Sequence, residues 1–436
     1  MEKRYSYNWF VLAILFLGIG GGFAFMVGMS RTPFGYQYFP ADYLHRTLVG
    51  HVVLAILLWL LSFAVVLWSR TFDGVEIKAT RWLALGGAFL IILAVLFGGG
   101  KAVINNYVPT IDTPLFLLGL ALFYLAFSLN VFAYLREALR NLFSIDLMKG
   151  AIASSVLIAL IMVVSMAISI FLQDENTAPI LYYERLFWIP GHIQQVLSGA
   201  LFVAVLYALR DRISGSVPSS WPFLRYVTIA FPLSALLLFI IPFTGDPLTR
   251  NAKITAEAIY GLGLGIPIFI HIIHILRTMG LGSGRRTSVA FISLILSVTI
   301  YTLGMAIAYS GFGDDLRVPA HYHGAVTSLT LALMGLSYYM LKERKERIFG
   351  ETIARVQPVI YGAGMVFFIV GLFVSGLFGA PRKTYGVSFT SDPIVLTALT
   401  VMGIGTLLAV IGGILFVFYT GISLCKEEKT SVTSNT

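Results

Sequence analysis

Apolar residues in this chain gather into long runs that stay hydrophobic on every side, with no alternation of polar and apolar positions. Runs of about 20 such residues match the thickness of a bilayer's hydrocarbon core. Twelve are read from the sequence, at about 8–29, 44–69, 82–100, 113–135, 150–172, 186–209, 224–244, 256–276, 287–310, 318–341, 357–379 and 393–419. The connections are short and leave no room for a separate soluble domain. The pattern predicts an all-α integral membrane protein, a bundle of twelve transmembrane helices forming a single domain over residues 1–436. The segment "CKEEKTSVTSNT" at 425–436 is polar and expected to be a disordered cytoplasmic tail. The first run comes after a basic start without a convincing cleavage site, so it is read as a membrane helix and not as a removed signal.

Composition agrees with that class. The chain is 58% hydrophobic and 12% charged, whereas a soluble domain carries about 25% charged residues. Its net charge of +9 needs no nucleic acid to explain it. With the N-terminus inside, 21 of the 30 Lys and Arg residues fall in cytoplasmic segments and nine in outer ones, as the positive-inside rule requires. Both termini are therefore expected in the cytoplasm and the chain in the cytoplasmic (inner) membrane. The single cysteine, Cys425, excludes disulfides, cysteine zinc sites, iron–sulfur clusters and covalent CxxCH haem attachment.

Ionisable residues inside membrane helices are costly and mark function. Of the seven histidines, four are expected at one level: His51 in the second run, His192 in the sixth, His321 and His323 in the tenth. These runs all start outside, which puts the rings roughly 5 to 10 Å below the outer boundary at about 1.5 Å rise per residue. Residues i and i+2 point about 200° apart on a helix, so His321 and His323 serve two different groups, one on each side. Two haems flanking the tenth helix fit that geometry, since haem iron takes an axial imidazole. His51 is then the second axial ligand of one haem, and His192 faces the iron of the other. His271 and His274, at i and i+3, are expected deeper, on one face of the eighth helix, as a proton relay or as polar contacts. His45 precedes the bilayer. The glycines of "GIGGGF" and "GLGLG" read as close helix packing.

These residues resemble subunit I of the haem–copper oxidase superfamily. "AHYHGA" is similar to its helix-10 motif, "LHRTLVGHVVLAILLW" to its helix 2, "FWIPGHIQQV" to its helix 6 and "GLFGAPRKTYG" to the segment after helix 11. The resemblance covers essentially the whole chain. It implies two non-covalent haems: a low-spin haem held by His51 and His323, and a high-spin haem held by His321. It also implies His192 facing a copper or second metal beside the high-spin haem, with Arg382 and Lys383 on the haem propionates. His321 and His192 would form the catalytic centre.

The family pattern also breaks here. The segment "FTGDPLTRNAKI", where the family places two further copper-ligating histidines, contains none. Val196 stands where the family has a tyrosine four residues after the helix-6 histidine. The resemblance implies a terminal oxidase-like oxidoreductase acting on O2. A nitric oxide reductase-like enzyme or a copper-lacking dihaem electron-transfer or sensor protein is the alternative, and a twelve-helix transporter with proton- or substrate-binding histidines is a further class. With neither a cupredoxin domain nor a c-type haem motif in the chain, electrons are expected from a donor subunit, a cytochrome c or quinol.

Overall fold

The computed structural model describes residues 4–173, 177–215, 221–280, 287–311, 313–344 and 350–425. Residues 426–436 of the expected tail lie outside them. Among the described residues twelve helices are long and apolar enough to cross a membrane: Arg4–Met29, Tyr43–Thr71, Ala79–Phe97, Pro114–Asn141, Leu147–Phe171, Pro179–Ser214, Leu224–Phe243, Arg250–Thr278, Val289–Ala308, Arg317–Glu343, Glu351–Leu377 and Pro393–Leu424, here spans 1 to 12. They match the twelve runs of the sequence in order and place. Span 6 differs, starting at Pro179 where the hydropathy pattern starts it at about 186. Its first two turns carry Tyr182, Tyr183, Glu184 and Arg185, too polar to register as membrane-spanning, yet they continue the same helix. His192 is correspondingly farther along its helix than expected.

Spans 2, 6 and 10 form the inside of the bundle. The central windows of these spans are 89%, 78% and 83% buried, against 33–56% for the other nine. These are the three spans that carry His51, His192 and the His321–His323 pair. Away from the histidines, Glu343 at the end of span 10 accepts hydrogen bonds from Arg70 of span 2 and Arg212 of span 6. All three side chains are about a third exposed or more, so the contribution to stability is small, but the contact ties the inner spans at one end.

Glycines set the helix spacing. A Cβ on Gly364 would come within 2.3 Å of the Ala409 nitrogen, and one on Gly371 within 2.5 Å of the Met402 nitrogen, so spans 11 and 12 meet backbone to backbone. Small residues permit such approaches in membranes. Two short π-helical segments interrupt spans 2 and 8, at Val53–Leu58 and Gly261–Gly265. The first begins just past His51 and the second directly after Tyr260. Between spans 3 and 4 the chain forms a small hairpin, with Ala102–Val103 (β1) antiparallel to Thr110–Ile111 (β2).

Candidate functional site

A cavity of ≈ 1720 Å³ runs through the bundle, and His51, His321 and His323 all line it. Each ring is held by a backbone carbonyl. His51 Nδ1–H donates to Gly20 O at 3.2 Å, His321 Nδ1–H to Gly304 O at 2.9 Å, and His323 Nδ1–H to Pro319 O at 2.7 Å. A carbonyl only accepts, so the proton must sit on Nδ1 and the lone pair on Nε2. That is the tautomer a metal-ligating imidazole needs, with its other nitrogen anchored.

Two of these carbonyls come from neighbouring helices that approach through glycine. A Cβ on Gly20 of span 1 would lie 2.6 Å from the Ala55 nitrogen of span 2. One on Gly324 of span 10 would lie 2.4 Å from the Gly304 Cα of span 9. The missing side chains bring each carbonyl to its ring. His321 turns toward span 9, whereas the His323 ring lies 4.9 Å from Phe368 of span 11. The two imidazoles leave span 10 on different sides, as their i, i+2 spacing requires. Of the "GIGGGF" glycines, Gly20 packs against span 2, while Gly21 and Gly22 line the cavity with no atom near their absent Cβ positions. That leaves this stretch of the cavity wall free of side chains.

Cations gather at the histidine end. Arg382 pairs with Asp314, and Lys383 Nζ donates to Ile104 O at 2.8 Å. Both line the cavity. Burial beside Arg382 lowers the Lys383 ammonium below its usual range. Arg31, by sequence only one of the outer charges, lines the same cavity. Its Nη2 donates to Pro381 O at 2.7 Å, and its Nε is buried with no hydrogen-bond partner. Burial lowers this guanidinium to about 10, still charged at neutral pH. An orphaned buried guanidinium N–H calls for an anionic acceptor, and a haem carboxylate has that chemistry. Behind the cations, Asp315 binds Arg317 through Nε at 3.0 Å and Nη2 at 2.7 Å, and Leu316 N–H donates to Ala380 O at 3.1 Å. This joins the start of span 10 to the segment that carries Arg382 and Lys383.

His192 stands apart. It is buried and is not among the cavity-lining residues. Its Nδ1–H donates to Trp188 O at 2.7 Å, and Tyr107 Oη–H donates to Nε2 at 3.1 Å. Among the described residues no group of three or more His, Cys, Asp or Glu side chains could hold a metal ion. The residues around His192 do not fit a copper centre.

His271 and His274 are fully buried and share one partner, with Tyr207 Oη at 3.0 Å and 3.1 Å from their Nδ1 atoms. They lie on one face of span 8, as their spacing implied, and neither lines the cavity.

The family model "Cytochrome C and Quinol oxidase polypeptide I" matches residues 4–415. The chain belongs to this cytochrome c and quinol oxidase polypeptide I family. It is thus a multi-pass membrane oxidoreductase of the haem–copper oxidase subunit I type, and the family supports haem as cofactor. An uncharacterized protein of Aquifex aeolicus (strain VF5) is 35% identical over 337 residues, covering 77% of this chain and 84% of that one. An uncharacterized protein of Rickettsia prowazekii (strain Madrid E) is 26% identical over 493 aligned positions, covering 95% and 94%. In this polypeptide I family member His51, His321 and His323 line one cavity, and Arg31 and Tyr107, which no sequence pattern singled out, line it with them.

Proposed function

We propose that the chain binds two haems, one low-spin between His51 and His323 and one high-spin on His321, and passes electrons to a small gaseous substrate, O2 in the first instance. The supporting observation is the shared cavity onto which three carbonyl-anchored imidazoles open with their lone pairs on Nε2. When bound, the haems supply one-electron carriers and an open iron position for a diatomic gas.

The protein's own residues prepare that site. Gly20 and Gly304 fix the ring orientations through their carbonyls. Arg31, Arg382 and Lys383 present positive charge to the haem carboxylates at the histidine end, which we place on the periplasmic side from the Lys and Arg distribution. Electrons enter from a donor subunit, a cytochrome c or quinol. The surroundings of His192 favour a dihaem centre without copper at this reduction site, and nitric oxide is the alternative substrate.

The test is an optical spectrum and haem count on the full chain purified in detergent. Two haems per chain are expected, with carbon monoxide perturbing one after reduction. A colourless preparation, or a pair of six-coordinate haems indifferent to carbon monoxide, would overturn the proposal.

A further inference from the structure

We propose that the Tyr107 hydroxyl occupies the coordination position of His192, so that a phenol, and not copper, is the polar group facing a diatomic ligand in the cavity. This rests on the proposed haem binding and adds to it which group stands opposite the high-spin haem.

The lone pair is the first ground. Trp188 O accepts from Nδ1, so Nε2 is the nitrogen that could bind a metal, and Tyr107 Oη–H already donates to it at 3.1 Å. Copper would have to displace that hydrogen bond to reach its only imidazole.

The arrangement is built in from several sides. Gly191 has no Cβ where the Tyr107 ring lies, and one added there would fall 2.6 Å from Tyr107 Cβ, Cγ and Cδ1. The loop that carries Tyr107 is closed by buried Asn105, whose Oδ1 accepts from the backbone N–H groups of Tyr107 (3.1 Å) and Val108 (3.0 Å). Asn106 next to it donates to Glu184 of span 6 from its backbone (3.0 Å) and its side chain (2.6 Å). The imidazole itself is enclosed. Tyr260 stacks on it at 5.3 Å and 12°, and the Tyr260 hydroxyl donates to His192 O at 3.0 Å. The rings of Trp188 and Tyr107 lie at 4.1 Å and 4.7 Å. A ring wedged among three aromatics is poorly placed to swing toward a metal.

Other ligands are wanting. A lone imidazole is a weak copper site, because such centres need several nitrogen donors. The segment after span 7 contains no histidine, and its carboxylate, Asp246, is engaged by Arg185 at 2.9 Å. Tyr107, unlike His192, lines the cavity together with His321. With its proton directed at His192, the phenol oxygen keeps lone pairs that can accept a hydrogen bond from a protonated ligand or an ordered water.

The experiment compares wild type with Tyr107→Phe, both grown with added copper and purified as full chains. Metal analysis of wild type is expected to show no stoichiometric copper, a result independent of haem. In the reduced carbon monoxide adduct, Tyr107→Phe is expected to keep its haem content and to shift the C–O stretching band by several wavenumbers. One copper per wild-type chain overturns the inference, as does an unchanged C–O band in a variant that keeps its haem. Should Tyr107→Phe fail to fold, the copper content of the wild type decides the inference by itself. A colourless wild type would sink the haem reading instead, and its copper content would then decide for or against Tyr107 separately.

Discussion

Gly304 and Gly324 meet backbone to backbone, and this contact puts the Gly304 carbonyl within 2.9 Å of the His321 ring. Helix spacing and imidazole orientation are therefore one feature. Gly324→Ala places a methyl 2.4 Å from the Gly304 Cα. The strain expected from such overpacking is about 1–3 kcal/mol. Thermal stability in detergent should fall accordingly, and carbon monoxide binding should weaken more than the low-spin spectrum does.

His323 and His321 should separate in a spectrum. His323→Ala is expected to abolish the low-spin haem signal while carbon monoxide still binds. His321→Ala is expected to do the reverse. If His323→Ala removes only carbon monoxide binding, the two rings have been assigned the wrong way round.

The spans were legible because their chemistry is collective. Twenty apolar residues in a row have one economical environment, and the histidines stand out against them. The start of span 6 was not legible, because Tyr182 to Arg185 are polar by composition and helical only by continuity with the apolar stretch beyond them. Tyr107 was not legible either. It lies 85 residues from His192 in a loop, and no local pattern announces a hydrogen bond across that distance. The nearest signal was the "NNYVP" segment itself, whose Asn105 has the side chain for a closed turn. Arg31 reads in sequence as a topological charge. Its unpaired Nε emerges only when the segment around Pro381 folds over it.

Arg31 tests the electrostatics of the cation cluster. Arg31→Gln removes a half-buried positive charge that favours electron uptake nearby. The midpoint potential of the adjacent haem should fall by on the order of 50 mV, close to a tenfold change for one electron. Haem content should be kept. An unchanged potential would place the haem carboxylates elsewhere.

Asp315 gives a pH dependence. Hydrogen bonds from Arg317 hold its carboxyl below the usual carboxylate range. A carboxyl whose folded value is depressed contributes stability that is present above its unfolded value of about 3.9 and is lost as pH falls through the folded one. Asp315→Asn should lower stability at neutral pH, since it removes the charge from a carboxylate that accepts several hydrogen bonds from Arg317. The gap between wild type and variant should close as pH falls below the usual carboxylate range. Melting curves across that range check it, and a gap that persists in acid would show that the contact matters for shape and not charge.

Three absent methyl groups, at Gly20, Gly191 and Gly324, each make room for a different close contact around the cavity. Mutational drift at any of them alters how the bundle fits together and how the cavity wall is arranged in a single step. Fold robustness and the shape of the cavity are thus coupled in this protein. Efforts to stabilise it by filling helix glycines, ordinarily a safe strategy, would strike here at the machinery itself.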